Sequence, residues 1–229
     1  LVFTKLTFIF TLTSKLAQLP AKKYALALHT NTPELGLAIS NFQGDTRANV
    51  WNLGRETSSY LHQYLIELIK PQTWTDLEFI AVAKGPGGFT GTRIGLVAAR
   101  TLGQQLNIPV FTVSNLAAFA WTEFSKNPQN QVLAIEMPAQ RGQVFGAIYQ
   151  KAFDNLGITA LLSDTVFAPE QWQDTLTNWS TKYELIKATS GFADTVTSVL
   201  ELAYLDWQQG KRPNWSEALP FYGQNPVEN

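Results

Sequence analysis

Residues 79–106 join a short apolar run, FIAVAK, to a long helix-compatible stretch through Gly85, Gly87, Gly88 and Gly91, and a second apolar run follows at Val110–Val113. A strand that turns on glycines into a helix and then returns as a strand is a crossover unit. Crossovers of this kind are right-handed and set the two strands parallel in one sheet. Upstream, Tyr24–Thr30 alternates, Leu35–Ser40 follows the turn Asn31-Thr32-Pro33, and Thr46–Leu53 follows Gln43-Gly44-Asp45. Three strands separated by such short turns predict an antiparallel meander. Thr57–Ile69 has Leu61, Tyr64, Leu65, Leu68 and Ile69 at helical spacing, and Ser114 is placed to cap a helix running to about Ser125. The order over 23–126 is therefore βββαβαβα, an α/β unit built on a mixed five-stranded sheet.

The composition turns polar at Lys126–Asn130, where a second, smaller unit (127–229) begins. Strands are expected near 132–136, 143–149, 160–167 and 184–188, with helices near 170–178 and 193–209. Residues 1–22 read as a poorly defined extension. Its apolar run Leu6–Leu12, bracketed by Lys5 and Lys15, is too short to span a bilayer.

Composition narrows the function. Charged residues make up 15 % of the 229, against about 25 % in an average soluble domain. So little charge predicts that part of the surface meets another protein. The net charge of −1 and the absence of a basic run leave contact with nucleic acid to a partner. There is no cysteine, which excludes disulfides, thiol catalysis and cysteine-ligated zinc. The two histidines, His29 and His62, are too far apart in sequence for a histidine-rich metal motif.

The loop Gly85, Pro86, Gly87, Gly88, Phe89, Thr90 sits between a strand and a helix, where backbone amides can receive an anion. A Walker loop needs Lys followed by Ser or Thr after its last glycine, and here Gly91 is followed by Thr92-Arg93. A dinucleotide fingerprint needs Gly where Thr90 stands and an acid in the next strand, and PVFTV has none. The remaining reading is a tight turn that brings the helix close to the sheet. Within that helix Gly91, Gly95, Ala99 and Gly103 recur every four residues, a thin stripe along one face. Each helical glycine costs up to about 1 kcal/mol relative to alanine, so packing must offset it. The helix and its neighbour at 57–69 are both apolar around much of their circumference, which predicts a shared partner surface. A wide face buried within the chain itself would leave the same pattern.

GPGGFTGTRIG resembles the GPGSFTGxRIG motif of the TsaB family, relatives of the TsaD/Kae1 proteins in the actin-like ATPase (RNase H-like) superfold. The resemblance runs from about Tyr24 to Trp121 and weakens toward residue 229. It implies two actin-like subdomains, the second a smaller degenerate copy. It also implies a non-catalytic, cytoplasmic subunit with no cofactor. Such a subunit dimerises with a TsaD-like enzyme, joined by a TsaE-like ATPase, to threonylcarbamoylate the adenosine beside the tRNA anticodon. tRNA would be met only indirectly and the membrane not at all, and homodimers through the same face are part of the family's pattern. The implied contact surface lies on the first two helices, and the positions assigned to it are Leu61, Tyr64, Leu65, Leu68, Gly91, Arg93, Gly95, Ala99 and Gly103. The alternative is a nucleotide-dependent phosphotransferase or hydrolase of the same superfold. Three departures weigh against it: His29-Thr30-Asn31 replaces Asp-Thr-Ser at the first strand's end, Pro138-Ala139-Gln140 replaces Asp-Ala-Arg, and Tyr222-Gly223-Gln224 replaces Tyr-x-Arg. Neutral imidazole is a poor ligand for the hard cation that such an aspartate holds.

Other candidates for chemistry are few. His29 is expected to be a hydrogen-bonded structural residue and His62 to face solvent. Asp45 with Arg47 and Asp76 with Glu78 read as surface charge. Glu136 has no nucleophile or base paired with it in sequence, and Trp172 and Trp179 read as core of the second unit.

Overall fold

The short turns hold the first three strands as a meander. In the computed structural model, which describes residues 17–152 and 157–223, these are β1 (Tyr24–His29), β2 (Glu34–Ser40) and β3 (Thr46–Asn52). α1 (Thr57–Ile69) leads to β4 (Leu77–Ala83), and α2 (Phe89–Leu106) leads to β5 (Val110–Val113). The sheet order is β3-β2-β1-β4-β5, with β4 parallel to both β1 and β5 and only β2 reversed. β1 is central and all of its residues are buried, whereas edge strand β3 is largely exposed.

Strand alternation sorts the side chains into two layers. Leu26, Leu28, Leu35, Leu37 and Ile39 meet Leu61, Leu65, Leu68, Leu96 and Ala99 beneath α1 and α2. The opposite face carries Ala25, Ala27, Ala38 and Ala81 with Phe79 and Phe111. These alanines let α5 (Val196–Gln208) lie close, with Val199, Leu200, Ala203 and Trp207 filling the layer.

The second sheet, β8-β7-β6-β9, uses β6 (Val132–Pro138), β7 (Val144–Lys151), β8 (Ile158–Phe167) and β9 (Glu184–Lys187), with β9 parallel to β6 and the other pairs antiparallel. α3 (Asn115–Lys126) covers one face through Leu116, Ala120 and Phe124, and α4 (Pro169–Thr177) covers the other through Trp172 and Leu176.

Two sequence expectations change. The division at residue 126 does not follow the packing, because α5 returns to the first sheet, whose alanine face needs a cover. The segment after it also returns: Val110 N–H donates to the Pro213 carbonyl at 3.3 Å, and Ala218 is buried in the α1–α2 core. Of the 1–22 extension, residues 1–16 lie outside the described residues, but Leu19 is a core residue, 3 % exposed on the α5 side. Gln208 Nε2 donates to the Ala17 carbonyl at 2.9 Å, and Gln43 Nε2 donates to the Leu19 carbonyl at 3.1 Å. Among the described residues no helix is long and apolar enough to cross a membrane.

Candidate functional site

The glycine loop closes on its own chain. Gly85 has φ +103°, and a Cβ there would strike the Phe221 carbonyl, so only glycine fits. Gly88 N–H donates to the Asn31 carbonyl at 2.7 Å. In the amide orientation that satisfies its neighbours, Asn31 accepts from Gly85 N–H at 3.0 Å and from the Thr92 hydroxyl at 2.7 Å, and donates to the Ala83 carbonyl at 3.1 Å. Asn115 Nδ2 donates to the Pro86 carbonyl at 2.8 Å. Asn31 and Asn115 thus bind from inside the loop that phosphate-binding proteins present to a ligand. Gly87, Gly88 and Thr90 stay exposed, and Phe89 is half-buried.

The small-residue stripe also faces inward. A Cβ on Gly91 would meet the Thr30 carbonyl, one on Gly95 the Thr30 hydroxyl, and one on Gly103 Val110 and Trp215. Ala99 is fully buried. These four positions, expected at a subunit seam, instead let α2 seat on β1 and β5. Leu68 is likewise buried in the chain's own core, and Tyr64 turns away to stack on Trp51 at 4.2 Å between ring centroids. The physical reason is common to all of them: a thin or apolar stripe needs a partner, and the sheet supplies it.

What the helices leave uncovered lies on their outer side. Between α1 and α2 runs an open groove of about 560 Å³. Leu61 and Leu65 form its floor, Ile66, Trp74, Ile94, Val97, Ala98 and Leu102 form its walls, and Ser58, His62 and Thr101 lie along its rim. Ile66 is 50 % exposed and Val97 63 %, which is unusual for large aliphatic side chains facing one another across a groove. Arg93 is its only fully charged lining residue. Of the nine expected contact positions, Leu61, Leu65 and Arg93 line this groove. Ile66, Trp74, Ile94 and Val97 were missed; for Ile94 a signal was present, since Ile94, Ala98 and Leu102 recur every four residues beside the glycine stripe of α2.

The remaining candidates resolve as structural. His29 is fully buried on the face of β1 shared with Ala25 and Ala27, but neither ring nitrogen has a hydrogen-bond partner, contrary to expectation. Burial pushes its imidazole down to about 3, so it is neutral at ordinary pH. His62 is exposed on the groove rim. Glu136 accepts from Trp172 Nε1 at 2.9 Å and pairs with Lys187 at 3.4 Å. Ser114 accepts from Ala117 N–H at 3.1 Å as an N-cap and also donates to Asp164 at 2.5 Å, and the Tyr149 hydroxyl donates to the same carboxylate. Burial pushes the Asp164 carboxyl up, and these hydroxyls and Lys84 hold the rise back. Pro138 lines a cleft of about 360 Å³ with Gly87, Gly88, Phe89 and Tyr222, and Gln224 lies outside the described residues. Among the described residues no group of three His, Asp or Glu side chains is arranged to hold a metal ion.

Comparison with known proteins agrees with this architecture. A family model described as TsaD, tRNA N6-adenosine threonylcarbamoyltransferase, matches residues 61–208. The tRNA threonylcarbamoyladenosine biosynthesis protein TsaB of Escherichia coli K12 is 28 % identical over 224 residues, 88 % of this chain and 95 % of that protein. The TsaB of Buchnera aphidicola from Schizaphis graminum is 39 % identical over 77 residues, 34 % of this chain and 36 % of that one. The solved structure of YeaZ from Pseudomonas aeruginosa superposes with a TM-score of 0.71 at 21 % identity, covering 87 % of this chain and 99 % of that one. It shares the fold, an α/β arrangement of two mixed sheets with helices of the actin-like type. The chain belongs to the TsaB family.

Proposed function

We propose that this chain is a non-catalytic, cytoplasmic scaffold subunit of a tRNA threonylcarbamoylation assembly, and that it docks a TsaD-like enzyme in the α1–α2 groove. One observation carries the reading: two helices that satisfy their own sheet still present Ile66 and Val97 to solvent across an apolar channel. Burial of apolar area contributes roughly 25 cal/mol per Å², so such a channel gains stability from a partner that fills it. The name of the Escherichia coli relative, aligned over nearly its whole length, supports the pathway. The internal hydrogen bonding of the glycine loop and the buried, neutral His29 support scaffolding over phosphoryl chemistry, because the loop is braced from within. A TsaE-like ATPase joins through the enzyme rather than through this chain, and tRNA is met only in the assembly.

The test is titration of the chain into a TsaD-like enzyme by isothermal calorimetry, alongside Val97→Asp and Ile66→Asp. A stable 1:1 complex is expected, with affinity reduced at least about tenfold in each variant, equivalent to about 1.4 kcal/mol. Unchanged affinity in both variants, or ATP turnover by the isolated chain, sinks the reading.

A further inference from the structure

Arg93 is held in place by residues from the far end of the chain. After α5 the segment 213–223 runs back across the first sheet's edge and over the start of α2. Trp215 lies against Gly103, Ala218 is 1 % exposed in the core, and Phe221 N–H donates to the Lys84 carbonyl at 2.7 Å. These anchors deliver Tyr222 to Phe89, with ring centroids 4.7 Å apart. The guanidinium of Arg93 lies 3.7 Å from the centre of the Phe89 ring and 5.5 Å from that of Tyr222, and its Nε donates to the Tyr222 hydroxyl at 2.8 Å. No carboxylate pairs with Arg93 among the described residues. That bond engages Nε alone, so the terminal nitrogens keep their donors for another acceptor.

Resting on the reading that the groove docks a partner enzyme, we propose that Tyr222 is a positioning residue. It fixes the Arg93 guanidinium at the end of the groove to receive a carboxylate beside an aliphatic stripe on a different subunit. Charge argues for this occupant. The groove's floor and walls are apolar, and its rim adds Ser58, His62 and Thr101 to a single full cation, so its complement is an aliphatic stripe with one acid. A second copy of this chain is the poorer fit. A two-fold interface sets the same surface against itself, and the groove's own lining contains no Asp or Glu. Entropy argues for the role of Tyr222. A free arginine loses rotamer freedom when it binds, and one already stacked on two rings and hydrogen-bonded loses less.

The experiment is a double-mutant cycle on the full chain and the TsaD-like enzyme, reading Kd at two salt concentrations, with Arg93→Ala, Tyr222→Ala and the double variant. Arg93→Ala should weaken binding about 10- to 100-fold and reduce the salt dependence. Tyr222→Ala should weaken it about 2- to 10-fold with the salt dependence kept, because the cation remains but is no longer ordered. The double variant should be no weaker than Arg93→Ala alone. Tyr222→Phe keeps the ring and loses the acceptor, so it should fall between wild type and Tyr222→Ala and guard against a folding artefact. Full additivity, or wild-type affinity for Tyr222→Ala, overturns the positioning role. If Val97→Asp abolishes binding while Arg93→Ala does not alter it, the acid-receiving cation is wrong and the groove stands. If Val97→Asp also binds normally, the docking reading fails first, and this inference with it. A homodimer that dissociates on Arg93→Ala in the absence of the enzyme would replace the proposed occupant with a second copy.

Discussion

Thr30 Oγ1 donates a 2.7 Å hydrogen bond to the Gly91 carbonyl, joining the end of β1 to the first turn of α2 across 61 residues of sequence. The contact requires that α2 present no side chain at this point. It explains why the glycines stand where they do, and it makes the stripe a feature of folding rather than of assembly.

Gly95→Leu should therefore abolish the folded state, and Gly95→Ala should lower stability by up to about 2 kcal/mol. The gain in helix propensity, about 1 kcal/mol, is smaller than the overpacking penalty of about 1–3 kcal/mol against a β-branched residue that is 1 % exposed and stiff about χ1. Because the obstructing atom is the Thr30 hydroxyl, Thr30→Ala should recover part of the loss in the double variant. Urea denaturation followed by circular dichroism measures both. A Gly95→Leu chain that melts like wild type but no longer assembles would move the stripe back to a subunit seam.

Val97→Asp and Ile66→Asp should behave in the opposite way. Both side chains are at least half exposed, so the isolated variants should stay within about 0.5 kcal/mol of wild-type stability. Association should suffer instead, as read by size-exclusion chromatography with the enzyme. A large drop in melting temperature would mean that the groove belongs to the monomer's core.

Two groups, one fully buried and one half-buried, give stability opposite dependences on pH. His29 falls from an ordinary value of 6.5 to about 3 on folding, so below pH 6.5 the unfolded chain binds a proton that the folded chain refuses. Its contribution is fully present above pH 6.5 and is lost as pH falls toward 3. At about 1.36 kcal/mol per unit, that amounts to about 2 kcal/mol by pH 5. His29→Leu should remove this slope. Asp164 is raised by burial, so its contribution is complete below the ordinary carboxylate value of 3.8 and declines as pH rises through its folded value. Asp164→Asn should therefore remove this opposing contribution, so that stability falls more steeply with acid above pH 3.8 than in the wild type. Urea midpoints collected from pH 4 to 8 separate the two, and an unchanged slope in His29→Leu would refute the first assignment.

Leu19→Ala should cost about 2–4 kcal/mol, the range for emptying a buried leucine site. Leu19 packs with Phe79, Phe111 and Trp207 on the α5 side of the sheet. A loss below about 0.5 kcal/mol in thermal melts would return residues 17–22 to the status of a loose appendage.

Much of the architecture was legible from local pattern. The strand and helix segments from β1 through α5 match expectation closely, because alternation, helical spacing and turn residues act over a few positions and survive tertiary packing. The candidate site was half legible. Leu61, Leu65 and Arg93 do line the groove, whereas Gly91, Gly95, Ala99, Gly103 and Leu68 pack internally. Tyr222 was noted only as part of a departing motif, since nothing near residue 222 announces that it meets residue 93.

The sequence alone determined that α2 has a thin stripe flanked by aliphatic residues, that its loop lacks the Walker and dinucleotide patterns, and that charge is scarce. Those properties are local and additive along the chain. Only the tertiary structure decided which face is hidden. That choice depends on Thr30, Val110 and Trp215 arriving beneath the glycines from distant segments, and on Tyr222 arriving above Phe89. A helix pattern records how many faces need cover, but the partner that covers each one is chosen by how the whole chain closes.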